Sequence, residues 1–302
     1  MGEHATLRDW LSLARFKNIV IGGMTVGVGA FVANPIAWSV ESVAVVALQM
    51  IAVASFMLAG NVGNDMQDVE IDRVSHPLRV LPSGTISIPQ ARVFMMSSMA
   101  VSVLCVATGS FLLSTLAIDW IPMLLIWLAS MLLMITYEVG PVTKNRGFIG
   151  NIVIGSMIGV VIVYGAASVG EVGQATTLSI ALMATFMGIG REVVKDVHDL
   201  QGDLDEGRST LPMKIGAQPA RNIAYLFALA GVIAIGVPFV FGWDGVDAWL
   251  IVFMLPCLLK LLRLNAPLSS GDDATAVDSL LMAIILGLGG VFTIALVRDH
   301  LI

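Results

Sequence analysis

Two acidic segments carry the side chains of this sequence best suited to chemistry: Asn64-Asp65-Met66-Gln67-Asp68-Val69-Glu70-Ile71-Asp72 and Asp196-Val197-His198-Asp199-Leu200-Gln201-Gly202-Asp203. Only 13% of the chain is charged, yet residues 65–72 hold four of its 22 acids and residues 192–206 hold six more. On a helix, Asn64, Asp68 and Asp72 share one stripe at single-turn spacing, and Asp196, Asp199 and Asp203 share another at i, i+3 and i+7. Like charges on adjacent turns repel, and a bound divalent cation removes that penalty. Magnesium suits such oxygen donors, typically taking one or two carboxylates together with waters and phosphate oxygens. Two facing acidic helices would therefore grip a diphosphate through two or more ions. Arg79, Lys144, Arg191, Lys195 and Arg208 fall in the same layer, where guanidinium forks suit phosphate oxygens. The chemistry so assembled is activation of a diphosphate leaving group by electrostatics and Lewis acidity.

A single D-x-x-x-D at a membrane boundary is ordinarily a solvated helix end. Here the motif occurs twice, each time closing an apolar run and each time followed by an Arg and then Leu-Pro (Arg79, Leu81-Pro82; Arg208, Leu211-Pro212). That duplication favours a site. His198 reads as a bystander among oxygen ligands, and Arg92 and Arg221 read as topology determinants.

The elements that must position these residues are membrane spans. The chain has 302 residues, 57% of them hydrophobic, and a mean hydropathy of +0.89. Apolar runs long enough to cross a bilayer lie near 19–35, 41–63, 93–117, 120–138, 149–169, 176–194, 220–242, 247–264 and 276–297. The sequence thus predicts an all-α, polytopic protein with nine transmembrane helices bundled around a central cavity. With the N-terminus inside, 15 of the 16 basic residues fall on the cytoplasmic face and only Arg298 on the other. Both acidic segments then face the cytoplasm, in a multi-pass protein of the cell membrane. Charged residues at 1–17 and the lack of a small-residue cleavage site argue against a cleavable signal, so that stretch is expected to be an interfacial helix. Cys105 and Cys257 fall inside spans and read as small apolar residues. The net charge of -6 argues against nucleic acid as a partner.

No linker divides the chain, so residues 1–302 are expected to form a single membrane domain, with cytoplasmic cap loops over 64–90 and 195–219. The recurring order of acids, Arg and Leu-Pro suggests that spans one to four and five to eight are related, with the ninth added.

These features together resemble the UbiA superfamily of intramembrane prenyltransferases. The resemblance rests on Asn64-Asp65-x-x-Asp68-x-x-x-Asp72 followed by Pro77-x-Arg79-x-x-Pro82-Ser83-Gly84, and on Lys195-Asp196-x-x-Asp199-x-x-Gly202-Asp203 followed by Thr210-Leu211-Pro212. Gly150-Asn151 opening span five and Arg15 to Asn18 before span one add to it. It implies a helical bundle with Mg2+ held by Asn64, Asp68, Asp72, Asp196, Asp199 and Asp203, the carboxylates Asp68, Asp72, Asp199 and Asp203 being essential to catalysis. Asn18, Arg79, Lys144, Arg146, Arg191, Lys195 and Arg208 would bind substrate. Many members carry Tyr-x-x-x-Lys at the end of span four; here Tyr137 is followed by Pro141, leaving Lys144 or Arg146 as the substitute. The segment Gly190–Asp196 is most similar to the archaeal branch that joins geranylgeranyl diphosphate to geranylgeranylglyceryl phosphate, forming the second ether bond of archaeal lipids. The partners implied are a prenyl diphosphate, a lipophilic phosphate acceptor and membrane lipids. An aromatic quinone precursor, a haem or a chlorin is the alternative acceptor. An ion-coupled transporter fits less well, because its acids would lie near the bilayer midplane.

Overall fold

The computed structural model describes residues 5–33, 38–138, 147–205, 209–241 and 248–300. Among them every regular element is helical: α1 (Leu7–Ala14), α2 (Phe16–Ala33), α3 (Val40–Gln67), α4 (Val69–Ser75), α5 (Ile88–Thr115), α6 (Ile121–Glu138), α7 (Phe148–Ala167), α8 (Ala175–His198), α9 (Leu200–Asp205), α10 (Leu211–Ile215) and α11 (Ala217–Phe241). A 3-10 stretch at Ala248–Met254 then leads into α12 (Leu255–Leu262), α13 (Asn265–Ser270) and α14 (Asp273–His300). Eight helical stretches among the described residues are long and apolar enough to cross a bilayer, and Ile121–Tyr137 is a shorter apolar helix in the place of the expected fourth span. The protein is a multi-pass membrane protein.

Local sequence explains where these helices start. Ser87 caps α5 through a capping box with Gln90, whose side-chain oxygen takes the Ser87 amide at 3.0 Å, and Ser39 caps α3. Thr6 and Asp9 form the same reciprocal box on α1. The N-terminal helix expected over 1–17 is shorter: Arg15 adopts a left-handed backbone (φ 54°), ends α1, and lets α2 begin at Phe16. The expected eighth span is also divided, with the α-helical part opening at Leu255-Pro256, because proline lacks the donor that a helix interior requires.

Packing follows the repeat suggested by the sequence. α2 packs on α3 and α3 on α5; in the second half α7 packs on α8 and α8 on α11. The halves meet where α2 crosses α7. There a Cβ on Gly29 would overlap the carbonyl oxygen of Ile162, and one on Gly165 would overlap that of Val26. Only glycine permits so close a backbone approach, the small-residue mode by which membrane helices pack without a hydrophobic driving force. α14 lies outside the repeat and packs on α8 and α12. Arg221 of α11 holds its first turn, Nε and Nη2 each donating to an Asp273 carboxylate oxygen at 2.7 Å.

Candidate active site

Both acidic segments leave a long helix by the same backbone device. α3 stops at Gln67 and α8 at His198, and the next residues adopt almost identical conformations: Asp68 has φ −87° and ψ 3°, Asp199 φ −90° and ψ 3°. This is the sparsely populated bridge region in which many active-site residues sit. Backbone pairing continues through each elbow. The Asp68 amide donates to Asn64 O at 3.0 Å and the Asp72 amide to Asp68 O at 2.8 Å; the Asp199 amide donates to Lys195 O and the Asp203 amide to Asp199 O, both at 2.9 Å.

The elbows correct the expectation of two unbroken stripes. Asp72 and Asp203 lie beyond the bends, on α4 and α9, and are 4% and 7% exposed. The long loops expected over 64–90 and 195–219 are partly helical, containing α4, α9 and α10. Aligned on the elbows, Asp65 matches Asp196 and Asn64 matches Lys195. Asp65, at i, i+3 and i+7 with Asp68 and Asp72, is therefore the counterpart of Asp196.

Six aspartates, Asp65, Asp68, Asp72, Asp196, Asp199 and Asp203, line one cavity of about 1510 Å³, with Glu192 beside them. Asn18, Asn64, Arg79, Arg191 and Lys195 line it too, so the structure gathers most of the residues selected from sequence. Lys144, Arg146 and Arg208 lie outside the described residues. Reading the sequence for acids missed what holds them. Arg15 Nη2 donates to Asp65 Oδ1 at 2.6 Å, and Asn151 Nδ2, from α7, donates to Asp196 Oδ2 at 2.9 Å. An amide near the start of an otherwise apolar span was the available signal, because polar groups at that depth persist only when paired.

The cations are engaged as well. Arg79 Nη1 donates to both oxygens of Asp72 at 2.8 Å, so the residue expected on a diphosphate rests on one of the expected metal ligands. Arg191 Nη1 donates to Glu192 Oε1 at 2.7 Å, and Lys195 Nζ lies 3.8 Å from Glu192 Oε2. The buried polar atoms without a partner include two on residues that line this cavity, Asn151 Oδ1, on a side chain 95% buried, and Arg191 Nε. An acceptor and a cationic donor are thus left on residues that line the same chamber.

The donor set fits magnesium. All the candidate ligands are hard oxygens, yet among the described residues no three His, Cys, Asp or Glu side chains form a preformed metal cage. Magnesium fits this arrangement because it completes its octahedron with waters and substrate phosphate oxygens rather than with an all-protein shell.

Below the polar end the same cavity continues as an apolar shaft lined by Val53, Phe56, Met57, Trp127, Met157 and Tyr164, with Ile284 and Leu288 of α14 along one side. From Asp65 to Val53 along α3 is about 18 Å, and from Asn151 to Tyr164 along α7 about 20 Å, at about 1.5 Å per residue.

Comparison with known proteins agrees with this architecture. The UbiA prenyltransferase family matches residues 23–296. A digeranylgeranylglyceryl phosphate synthase of Haloquadratum walsbyi is 32% identical over 252 residues, covering 83% of this chain and 82% of the relative. A solved structure of a digeranylgeranylglyceryl phosphate synthase superposes with a TM-score of 0.72 at 24% identity, over 98% of this chain and 99% of the other. A UbiA homolog from Archaeoglobus fulgidus, solved with GPP and Mg2+ bound, gives a TM-score of 0.67 at 18% identity over 95% and 99% of the two chains. The chain belongs to the UbiA prenyltransferase family and is a prenyltransferase.

Proposed function

We propose, with membership of that family as the premise, that the protein transfers a geranylgeranyl group from geranylgeranyl diphosphate to geranylgeranylglyceryl phosphate, with magnesium as cofactor. The observation that carries the reading is a single cavity in which a carboxylate- and cation-lined chamber opens into an apolar shaft about 20 Å deep. A fully extended geranylgeranyl chain is also about 20 Å long, taking carbon–carbon bonds of about 1.5 Å in zigzag. At about 1510 Å³ the cavity exceeds the roughly 300–1,000 Å³ of an ordinary small-molecule site. That volume supports two lipid substrates side by side. The Haloquadratum walsbyi relative is named as a digeranylgeranylglyceryl phosphate synthase, after the product this reaction would give, which supports the assignment.

In this reading Asn64, Asp68, Asp72, Asp196, Asp199 and Asp203 would hold magnesium, which when bound neutralises the diphosphate and makes it a better leaving group. Arg191 and Lys195, both lining the cavity, add positive charge beside the anionic groups. Arg79 orients Asp72 and offers its remaining guanidinium donors to phosphate oxygens. As the bond from the allylic carbon to the diphosphate breaks, the acceptor's glycerol oxygen forms the new ether bond to that carbon. The proton passes to the departing diphosphate or to a carboxylate of the chamber. Apolar walls below the reacting carbon exclude water, which would otherwise compete as nucleophile. The acidic end and the N-terminus face the cytoplasm in this proposal, on the asymmetry of the basic residues. The segments 64–90 and 195–219 cap the cavity within a single domain.

Purified protein in lipid nanodiscs, given geranylgeranyl diphosphate, geranylgeranylglyceryl phosphate and magnesium, should form the doubly prenylated product, detected by mass spectrometry. Turnover with an aromatic acceptor alone, or equal rates with the dephosphorylated alcohol, would move the assignment to another branch of the family.

A further inference from the structure

At the bottom of the shaft lies a layer of polar side chains, at a depth where unpaired polarity is costly. The Tyr164 hydroxyl of α7 donates to Gln49 Oε1 of α3, and Gln49 Nε2 donates to Cys105 O of α5 at 3.3 Å. Beside them Trp127 Nε1 of α6 donates to Ser102 Oγ of α5 at 3.1 Å, and Ser102 Oγ donates to Ala52 O of α3 at 2.8 Å. Four helices are joined at one level by two short hydrogen-bond chains. Gln49 and Ser102 are fully buried, and Tyr164 and Trp127 are 2% and 7% exposed.

Tyr164 and Trp127 are also the deepest cavity-lining residues on α7 and α6. Each is a bulky ring whose polar edge is fixed to a neighbouring helix, so neither swings aside without breaking a buried hydrogen bond. The ring of Phe56, one helical turn nearer the acids than Val53 and Ala52, stands edge-on to Trp127 with centroids 6.3 Å apart. The walls above are of another kind: Met57, Met134 and Met157 are unbranched thioethers that adapt to what lies against them.

We propose that Trp127 and Tyr164, held by Ser102 and Gln49, form a rigid floor that sets the greatest length of prenyl chain the cavity accepts. The inference rests on the prenyl-transfer reading above. The distance from the acids to this floor matches an extended C20 prenyl chain, about sixteen backbone carbons laid straight. A donor one isoprene unit longer meets a floor that does not yield, while a shorter one leaves space that the methionines partly fill.

The test is competition between C20 and C25 prenyl diphosphates on the intact protein in nanodiscs, with products resolved by mass spectrometry. Wild-type protein should favour the C20 donor. Trp127→Ala removes most of the floor's bulk while leaving Ser102 donating to Ala52 O, and should raise the C25-to-C20 ratio of kcat/KM by about tenfold or more. Trp127→Phe, which keeps a ring but loses the bond to Ser102, should raise the ratio less than Trp127→Ala. The paired change Gln49→Leu with Tyr164→Leu removes both hydrogen-bonding partners, avoiding a buried orphan, and should shift the ratio the same way. An unchanged ratio in either folded floor variant would overturn the floor. Absence of prenyl transfer by the wild-type protein with every donor would instead overturn the reading on which it rests.

Discussion

The two acidic elbows share a backbone and differ in what holds their acids. Before the first bend, Asp65 is paired with a guanidinium, Arg15, and after it both oxygens of Asp72 accept from Arg79 Nη1. Before the second bend, Asp196 stands in the place of Asp65 but is held by a neutral amide, Asn151, whose own oxygen remains unpartnered. Both elbows aim carboxylates into one cavity. Asp65 and Asp72 are each compensated by a guanidinium of the protein, whereas the partner of Asp196 is a neutral amide.

Alanine at Asp68, Asp72, Asp199 or Asp203 gives the largest expected effect. Each change should lower turnover by about 10²–10³-fold, the scale seen when an electrostatic group is removed from a reacting centre. Turnover at saturating magnesium, with monodispersity as the check on folding, decides it; near-normal rates in two of the four variants would break the pairing of the elbows.

The next prediction separates the elbows. Asp196→Asn and Asn151→Leu should each raise the magnesium concentration for half-maximal turnover by about 10–100-fold, as loss of a ligand or of its supporting hydrogen bond does. Asp65→Asn should have a smaller effect on that midpoint, since the Arg15 side chain it leaves behind is 40% exposed and can be solvated. Equal shifts at positions 65 and 196 would mean that the two elbows bind metal alike.

Arg79 sharpens the account of the first elbow. Arg79→Ala should weaken prenyl diphosphate binding about tenfold and acceptor binding little, and Arg79→Lys should restore charge without the two-oxygen grip on Asp72. Separate titrations of the two substrates give the answer. Equal losses for both would make Arg79 a support for Asp72 alone.

The smallest effect on catalysis is expected far from both elbows. Arg221→Ala breaks the pair with Asp273, whose members are 15% and 8% exposed, and should cost stability of about 3 kcal/mol while leaving both KM values near wild type. Thermal unfolding alongside kinetics would show whether the α11 to α14 clip is separable from the site.

The sequence by itself determined the all-helical membrane architecture, the approximate spans and the acids that meet at one end. Those properties are local: a bilayer selects apolar runs of fixed length wherever they occur, and carboxylates at helical spacing fall on one side of their own helix. Tertiary structure decided the rest. The elbows at Asp68 and Asp199 carry Asp72 and Asp203 onto separate short helices, which a straight helical wheel does not show. The partners of these acids come from other helices, Arg15 fifty residues before Asp65 and Asn151 forty-five before Asp196. Tyr164 and Gln49, 115 residues apart, meet at the bottom of the shaft only because α2, α3 and α7 pack together. A helix pattern specifies which face a residue occupies, but the partner on that face is chosen by packing between segments that the sequence does not place side by side.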